Sequence, residues 1–354
     1  MSTKTINLNR NKYDRVYDWT DAEIEDWISE HKVLFMTNSM CRPGSMFLSS
    51  IMTYAQLIPV HNFTIIYGIK DNKPYYGINV FGELTERTFN DPTYKRYDYA
   101  VYIDEDCFVA DFRALMTQVV RFVEQDCWPC AGPMDGGMIC HRNHSRFLFN
   151  TYVSMWNMKM LRETTTLTAI NELMGQFMKN QNTHTNFLSY MSQHCSDVLQ
   201  QMDAESMSMI AEGQEYRQEH FEKIDDEMYI TPYAKVVMND PTNPSEPHQT
   251  PYSYKDNEAA NFEPYYIIEE LWIALTGKAP LYLFHTDLYD KELNNDEDAC
   301  TDNSGLTSAL YSTDCRLAVV HTWFSRMYTK FPINNLQLEH TNRINCIITK
   351  YGYI

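Results

Sequence analysis

The chain reads as an α/β protein with a mixed, mostly parallel central sheet, flanking helices and a helical insertion. Three observations predict this. An apolar run, a helical stretch and a second apolar run follow one another between residues 32 and 67. A further apolar run, Ala100 to Ile103, has strong β propensity and stops abruptly at three acids. Between 164 and 222, Leu173, Met174, Phe177 and Met178, then Phe187, Leu188 and Met191, recur at helical spacing. Strand, helix, strand in that order predicts parallel pairing with right-handed crossovers.

Each element follows from local pattern. Residues 1–19 are a polar lead-in. Thr20 and Glu23 have capping-box spacing, so residues 21–31 predict a short helix. Lys32 to Met36 predicts the first buried strand. Thr37, Asn38 and Ser39 with Arg42, Pro43 and Gly44 form the turn after it, and Ser45 to Leu57 a helix. Phe63 to Tyr67 predicts a second strand, followed by Gly68 and Asp71. Helices are expected over Ala110–Val123, Phe147–Leu161 and Pro264–Leu275. Residues 239–263 are rich in Pro, Asn and Ser and read as a long loop. Leu281–Phe284 and Leu317–Val320 are late strands, the second running into His321-Thr322-Trp323. The expected division is 1–160, an α/β half; 161–263, an acidic helical insertion with the long loop; and 264–354, a half that completes the site.

A 354-residue chain with 44% hydrophobic and 14% aromatic residues can bury a sizeable core. The net charge is −18, and residues 201–300, with 22 acidic and 6 basic side chains, account for −16 of it. The excess acid therefore argues only weakly against a polyanionic partner for the rest of the chain. The first fifteen residues lack an apolar core, and no run reaches the length of a membrane span, so a cytoplasmic location is expected. Nine cysteines without regular spacing suit reduced thiols, with Cys127 and Cys130 read as buried structural thiols. Asn62 and Asn143 match the glycosylation acceptor pattern, but without a secretory signal they are set aside.

The acids at the end of the Ala100–Ile103 run are Asp104, Glu105 and Asp106. Strand geometry would put Asp104 and Asp106 on one side and Glu105 on the other. Paired carboxylates at a strand end suit a hard divalent cation that bridges to phosphate oxygens. Thr37, Asn38, Asp71 and Asp104 would all lie along the carboxyl edge of the sheet, where open α/β sheets bind ligands. Some thirty residues on, Gly136 and Gly137 precede a short apolar run and would let the backbone approach a ligand closely.

An apolar strand ending in Asp-x-Asp, a strand–helix–strand entry, the Gly-Gly segment and the late His-x-Trp together resemble a GT-A type glycosyltransferase. The resemblance covers roughly residues 32–160 and 316–330. It implies a nucleotide-sugar-binding first half, an acceptor-side last part, and Mn²⁺ or Mg²⁺ held against the donor diphosphate. On that resemblance Asp104, Asp106 and His321 are the expected metal ligands, imidazole favouring Mn²⁺. Thr37, Asn38, Arg42, Asp71, Asp104, Gly136, Gly137 and Arg326 are expected around the donor, with a UDP-sugar the expected one. Asp135 would orient the sugar. Glu269 or Glu270 would serve as general base, although by sequence context alone both read as a solvated helix face. A glycan or lipid-linked sugar is the expected acceptor, and a hydroxylated base in DNA a second option. Two other classes stand beside this one: a nucleotidyltransferase acting on sugar phosphates, and a non-catalytic sugar-nucleotide-binding module.

Overall fold

The computed structural model describes residues 11–39, 54–67, 69–70, 73–74, 80–134, 145–181, 183–220, 266–287, 307–322 and 349–350. Its strands are Val33–Ser39 (β1), Phe63–Tyr67 (β2), Ile69–Lys70 (β3), Lys73–Pro74 (β4), Tyr99–Ile103 (β5), Cys107–Val109 (β6), Cys130–Pro133 (β7), Val153–Asn157 (β8), Leu281–Leu283 (β9), His285–Asp287 (β10), Thr307–Tyr311 (β11) and Leu317–Thr322 (β12).

Six strands form the main sheet in the order β2-β1-β5-β8-β7-β9. Pairing is parallel at β2/β1, β1/β5 and β7/β9, and antiparallel at β5/β8 and β8/β7. Only β8 runs against the other five. The chain goes from β1 outward to β2, then returns to β5 on the opposite side of β1. Strand order thus reverses between β1 and β5, and the carboxyl ends of those two strands frame the place where such sheets take ligands. The second sheet, β10-β11-β12-β6, is antiparallel throughout. β3 and β4 form a two-stranded antiparallel pair.

Both faces of the main sheet are buried, and the alternation of side chains divides the core in two. From β1, Val33 and Phe35 enter one cluster, while Leu34 and Met36 enter the other. From β5, Tyr99, Val101 and Ile103 join the first, and Ala100 and Tyr102 the second. The first cluster is covered by the helices Asp21–Glu30 and Phe112–Gln125. The expected capping box starts the former: Thr20 accepts from Glu23 N while the Glu23 carboxylate accepts from Thr20 N at 2.7 Å. Asp111 caps the latter, accepting from the amides of Arg113 and Ala114. The second cluster is covered by Val80–Asn90, Met158–Thr164, Leu167–Phe177, Thr183–His194 and Tyr266–Thr276.

Most sequence expectations hold, and β2 does so at both ends, but Thr37, Asn38 and Ser39, expected as a turn, extend β1 and pair with β2. The helix over Phe147–Leu161 does not hold: Val153–Asn157 is β8, and only Met158–Thr164 is helical. Every residue of β8 is buried, so its apolar run has no period that separates strand from helix. Sequence reading also missed the helix Val80–Asn90. Most of the expected Ser45–Leu57 helix and the whole 239–263 loop lie outside the described residues. Asn62 is buried and its Nδ2 donates to Val33 O at 2.8 Å, so that acceptor pattern is a structural tie between β1 and the turn before β2. Cys130 is buried but Cys127 is exposed, which corrects the reading of both as buried thiols.

Gly132 in β7 faces the ring of Phe149, and a methyl group there would overlap it. Phe149 in turn packs on Trp156, which meets Trp272 edge-on with centroids 5.0 Å apart. Gly132→Ala is expected to lower the unfolding free energy by about 1–3 kcal/mol. Adding Phe149→Leu should recover part of the loss in chemical denaturation; a double variant less stable than either single would contradict this packing account.

Candidate functional site

The three acids join the two sheets. β5 belongs to the main sheet and β6 to the second, and Asp104-Glu105-Asp106 is the whole connection. It is a tight turn: Cys107 N donates to Asp104 O at 3.1 Å. The strand alternation expected for Asp104 and Asp106 therefore does not apply, because turn geometry positions both.

Further hydrogen bonds hold the turn. Asp104 N donates to Tyr152 O at 2.8 Å, and Cys107 Sγ donates to the same carbonyl at 3.4 Å. Glu105 N donates to Asp104 Oδ1 at 2.8 Å and to Asn38 Oδ1 at 3.2 Å. Asn38 thus reaches from the carboxyl end of β1 to that of β5, across the point where strand order reverses. Thr37, next to it, is buried. Tyr152 is set by the segment before β8: its amide donates to Asn150 Oδ1 at 3.1 Å, and Asn150 N donates to Pro133 O at 2.7 Å. Arg146 anchors that segment to the helix Ser196–His220, through Asp203 and through Ser206 Oγ at 2.9 Å.

Pairing of β6 with β12 then brings in the late histidine. His321 lies directly opposite Cys107, so the two side chains share a face. His321 Nε2 stands 3.1 Å from Asp106 Oδ1. Its ring stacks on Tyr152, with centroids 4.5 Å apart and planes inclined by 6°. One carboxylate oxygen of Asp106, the Cys107 sulfur and one His321 ring nitrogen all lie within 4.8 Å of one another. Oxygen, nitrogen and sulfur donors at this spacing can hold a metal ion. Of the expected ligands, Asp106 and His321 converge here, whereas Asp104 stands outside this trio.

The electrostatics are those of crowded anions. Burial, then the charges of Asp106 and Glu105, hold the Asp104 carboxyl well above the usual aspartate range; the bond from Glu105 N opposes this. Burial, then the charges of Asp106 and Asp104, push the Cys107 thiol well up. A cation bound here would reverse both effects.

Glu269 and Glu270 are buried, not solvated as their sequence context suggested. Glu269 Oε2 accepts from Phe149 N at 3.1 Å. Glu270 Oε1 lies 2.8 Å from His184 Nδ1, joining the helices Tyr266–Thr276 and Thr183–His194 in the second cluster. Burial raises the Glu270 carboxyl, and the His184 contact opposes that shift. Both acids project from the core side of an apolar helix, and neither belongs to the Asp106 trio. Arg42, Asp71, Asp135, Gly136, Gly137 and Arg326 lie outside the described residues. β7 does end at the same edge as β5, since both oppose β8. Sequence reading missed Cys107 and Tyr152. Cys107 adjoins the acids in sequence, but its place opposite His321 comes from the β6/β12 register; Tyr152 acts through its carbonyl and ring, which no motif marks. No protein-family model, curated protein or solved structure matches the chain. Among the described residues, no helix is long and apolar enough to cross a membrane.

Two outcomes check this geometry. The raised Asp104 carboxyl disfavours its ionised form, so its stabilising contribution is present at acid pH and lost as pH rises through its folded-state value. Asp104→Asn, which still accepts from Glu105 N, should therefore melt above the parent at pH values where the parent's Asp104 is ionised, without metal. The gain should close on acidification; a gain that persists at acid pH would point elsewhere. Glu270→Ala leaves His184 buried without its partner and should cost roughly 3 kcal/mol or more in denaturant unfolding. A neutral result would mean the pair does not bind these helices together.

Proposed function

We propose that the protein is a divalent-metal-dependent glycosyltransferase that moves a sugar from a nucleotide-diphosphate donor to an acceptor hydroxyl. The observation that carries the reading is the convergence of Asp106 and His321 at the carboxyl edge of the main sheet, beside the β1/β5 reversal of strand order. The likeness of the Asp-x-Asp strand and late histidine to GT-A enzymes adds the reaction class. The carboxylate of Asp106 and the imidazole of His321 fit Mn²⁺, which accepts oxygen and nitrogen donors. When bound, such an ion would offset the charge that builds on the departing diphosphate.

The protein's own groups supply the rest. Asn38 fixes the turn through Glu105 N, so the carboxylates start from a set geometry. Asp104 is the proposed donor-side group, whose carboxylate would accept from a ribose or sugar hydroxyl. Tyr152 holds the His321 ring by stacking. In the reaction the acceptor oxygen bonds to the anomeric carbon, and the bond to the diphosphate breaks with its electron pair. The hydroxyl proton passes to a general base, and Asp135, two positions beyond the end of β7 at Pro133, would orient the sugar.

Thermal melting tests the reading. A UDP- or GDP-sugar should raise the melting temperature only with Mn²⁺, by the equivalent of about 2.7 kcal/mol at a hundredfold excess over Kd. Asp106→Ala should abolish that shift and any transfer to sugar acceptors or to DNA carrying hydroxylated bases. Stabilisation by nucleoside triphosphates alone would favour nucleotidyl transfer. Normal turnover by Asp106→Ala would sink the proposal.

A further inference from the structure

The trio contains a sulfur donor that a Mn²⁺ or Mg²⁺ site does not need. Cys107 is fully buried, and register places it against His321. Its Sγ, the Asp106 carboxylate and the His321 ring nitrogen are already mutually within 4.8 Å. Thiolate ligands select softer ions, and affinity for mixed donors rises from Mn²⁺ to Zn²⁺. Three protein donors of types O, N and S leave one position of a tetrahedron open, the arrangement of a zinc site that keeps an exchangeable ligand. From these donors we infer that Asp106, Cys107 and His321 form a thiolate-containing site for Zn²⁺ and its close analogue Cd²⁺.

Binding replaces the hydrogen bond from Cys107 Sγ to Tyr152 O with a metal–sulfur bond, and the thiol proton leaves to solvent. Asp106, the most exposed of the three, marks the way in. His321 binds through Nε2, the nitrogen that already faces Asp106. The stacked Tyr152 ring keeps the imidazole in that orientation. The inference rests on the donor set alone and stands whether or not the protein transfers a sugar.

The test titrates the metal-stripped full-length protein with Cd²⁺ and follows the ultraviolet sulfur-to-cadmium charge-transfer absorbance. One band saturating at one equivalent is expected in the parent and in Cys127→Ser, and it should vanish in Cys107→Ser. His321→Gln keeps the thiol, so its band should survive while the affinity falls roughly tenfold or more. Zn²⁺ should displace the bound Cd²⁺, whereas Mn²⁺ at equal concentration should not. Far-UV circular dichroism and melting check that each variant folds; if Cys107→Ser does not, His321→Gln and the Zn²⁺/Mn²⁺ contrast in the parent decide. A band that persists in Cys107→Ser, is lost in Cys127→Ser or is unmoved by His321→Gln overturns the site, as does its absence from the parent.

Discussion

The two sheets are tied by two short covalent crossings, Asp104–Asp106 between β5 and β6 and Phe284 between β9 and β10, and the first of them carries the candidate site. Three residues, Asp104 to Asp106, carry the chain from a central strand of one sheet into an edge strand of another. A shift of one sheet against the other would strain both crossings. The backbone of Tyr152 reinforces the first by accepting from both of its ends. The consequence is that carboxylates which repel one another are kept in place by hydrogen bonds and by two flanking ladders, not by attraction among themselves.

The rest of the fold supplies rigid walls. β1 and β5 bury alternate side chains in two separate cores, so moving either strand along its axis would unseat both clusters at once. The aromatic residues Phe81, Phe149, Trp156 and Trp272 fill the second core. The His184–Glu270 pair lies in the same layer and ties its helices. That layer is far better suited to holding β8 steady than to chemistry. β8 needs that support, because it carries the segment that presents Tyr152.

Much of the fold was legible in the sequence where pattern and punctuation agreed. Phe63–Tyr67, bounded by Asn62 and Gly68, is such a case, as is the helix behind Thr20 and Glu23. Val153–Asn157 was not legible, because burial on both faces erases the period that distinguishes strand from helix. At the site, Asp106 and His321 were readable as metal-ligand types at the ends of apolar runs. The contribution of Cys107 was not, because it depends on the register between β6 and β12, and register is a property of pairing. Glu269 and Glu270 misled for a related reason. Two adjacent acids suggest solvent, yet an apolar helix packed on every side has no solvent face to offer.

Asp106 and His321 are separated by 215 positions. During synthesis at about 5–20 residues per second, β12 leaves the ribosome roughly 10 to 40 s after β6. For that interval the nascent chain carries the carboxylates and the thiol without the imidazole that lies across from them. The Asp106–Cys107–His321 trio is thus among the last of the described features to assemble, because it waits for β12 to pair with β6.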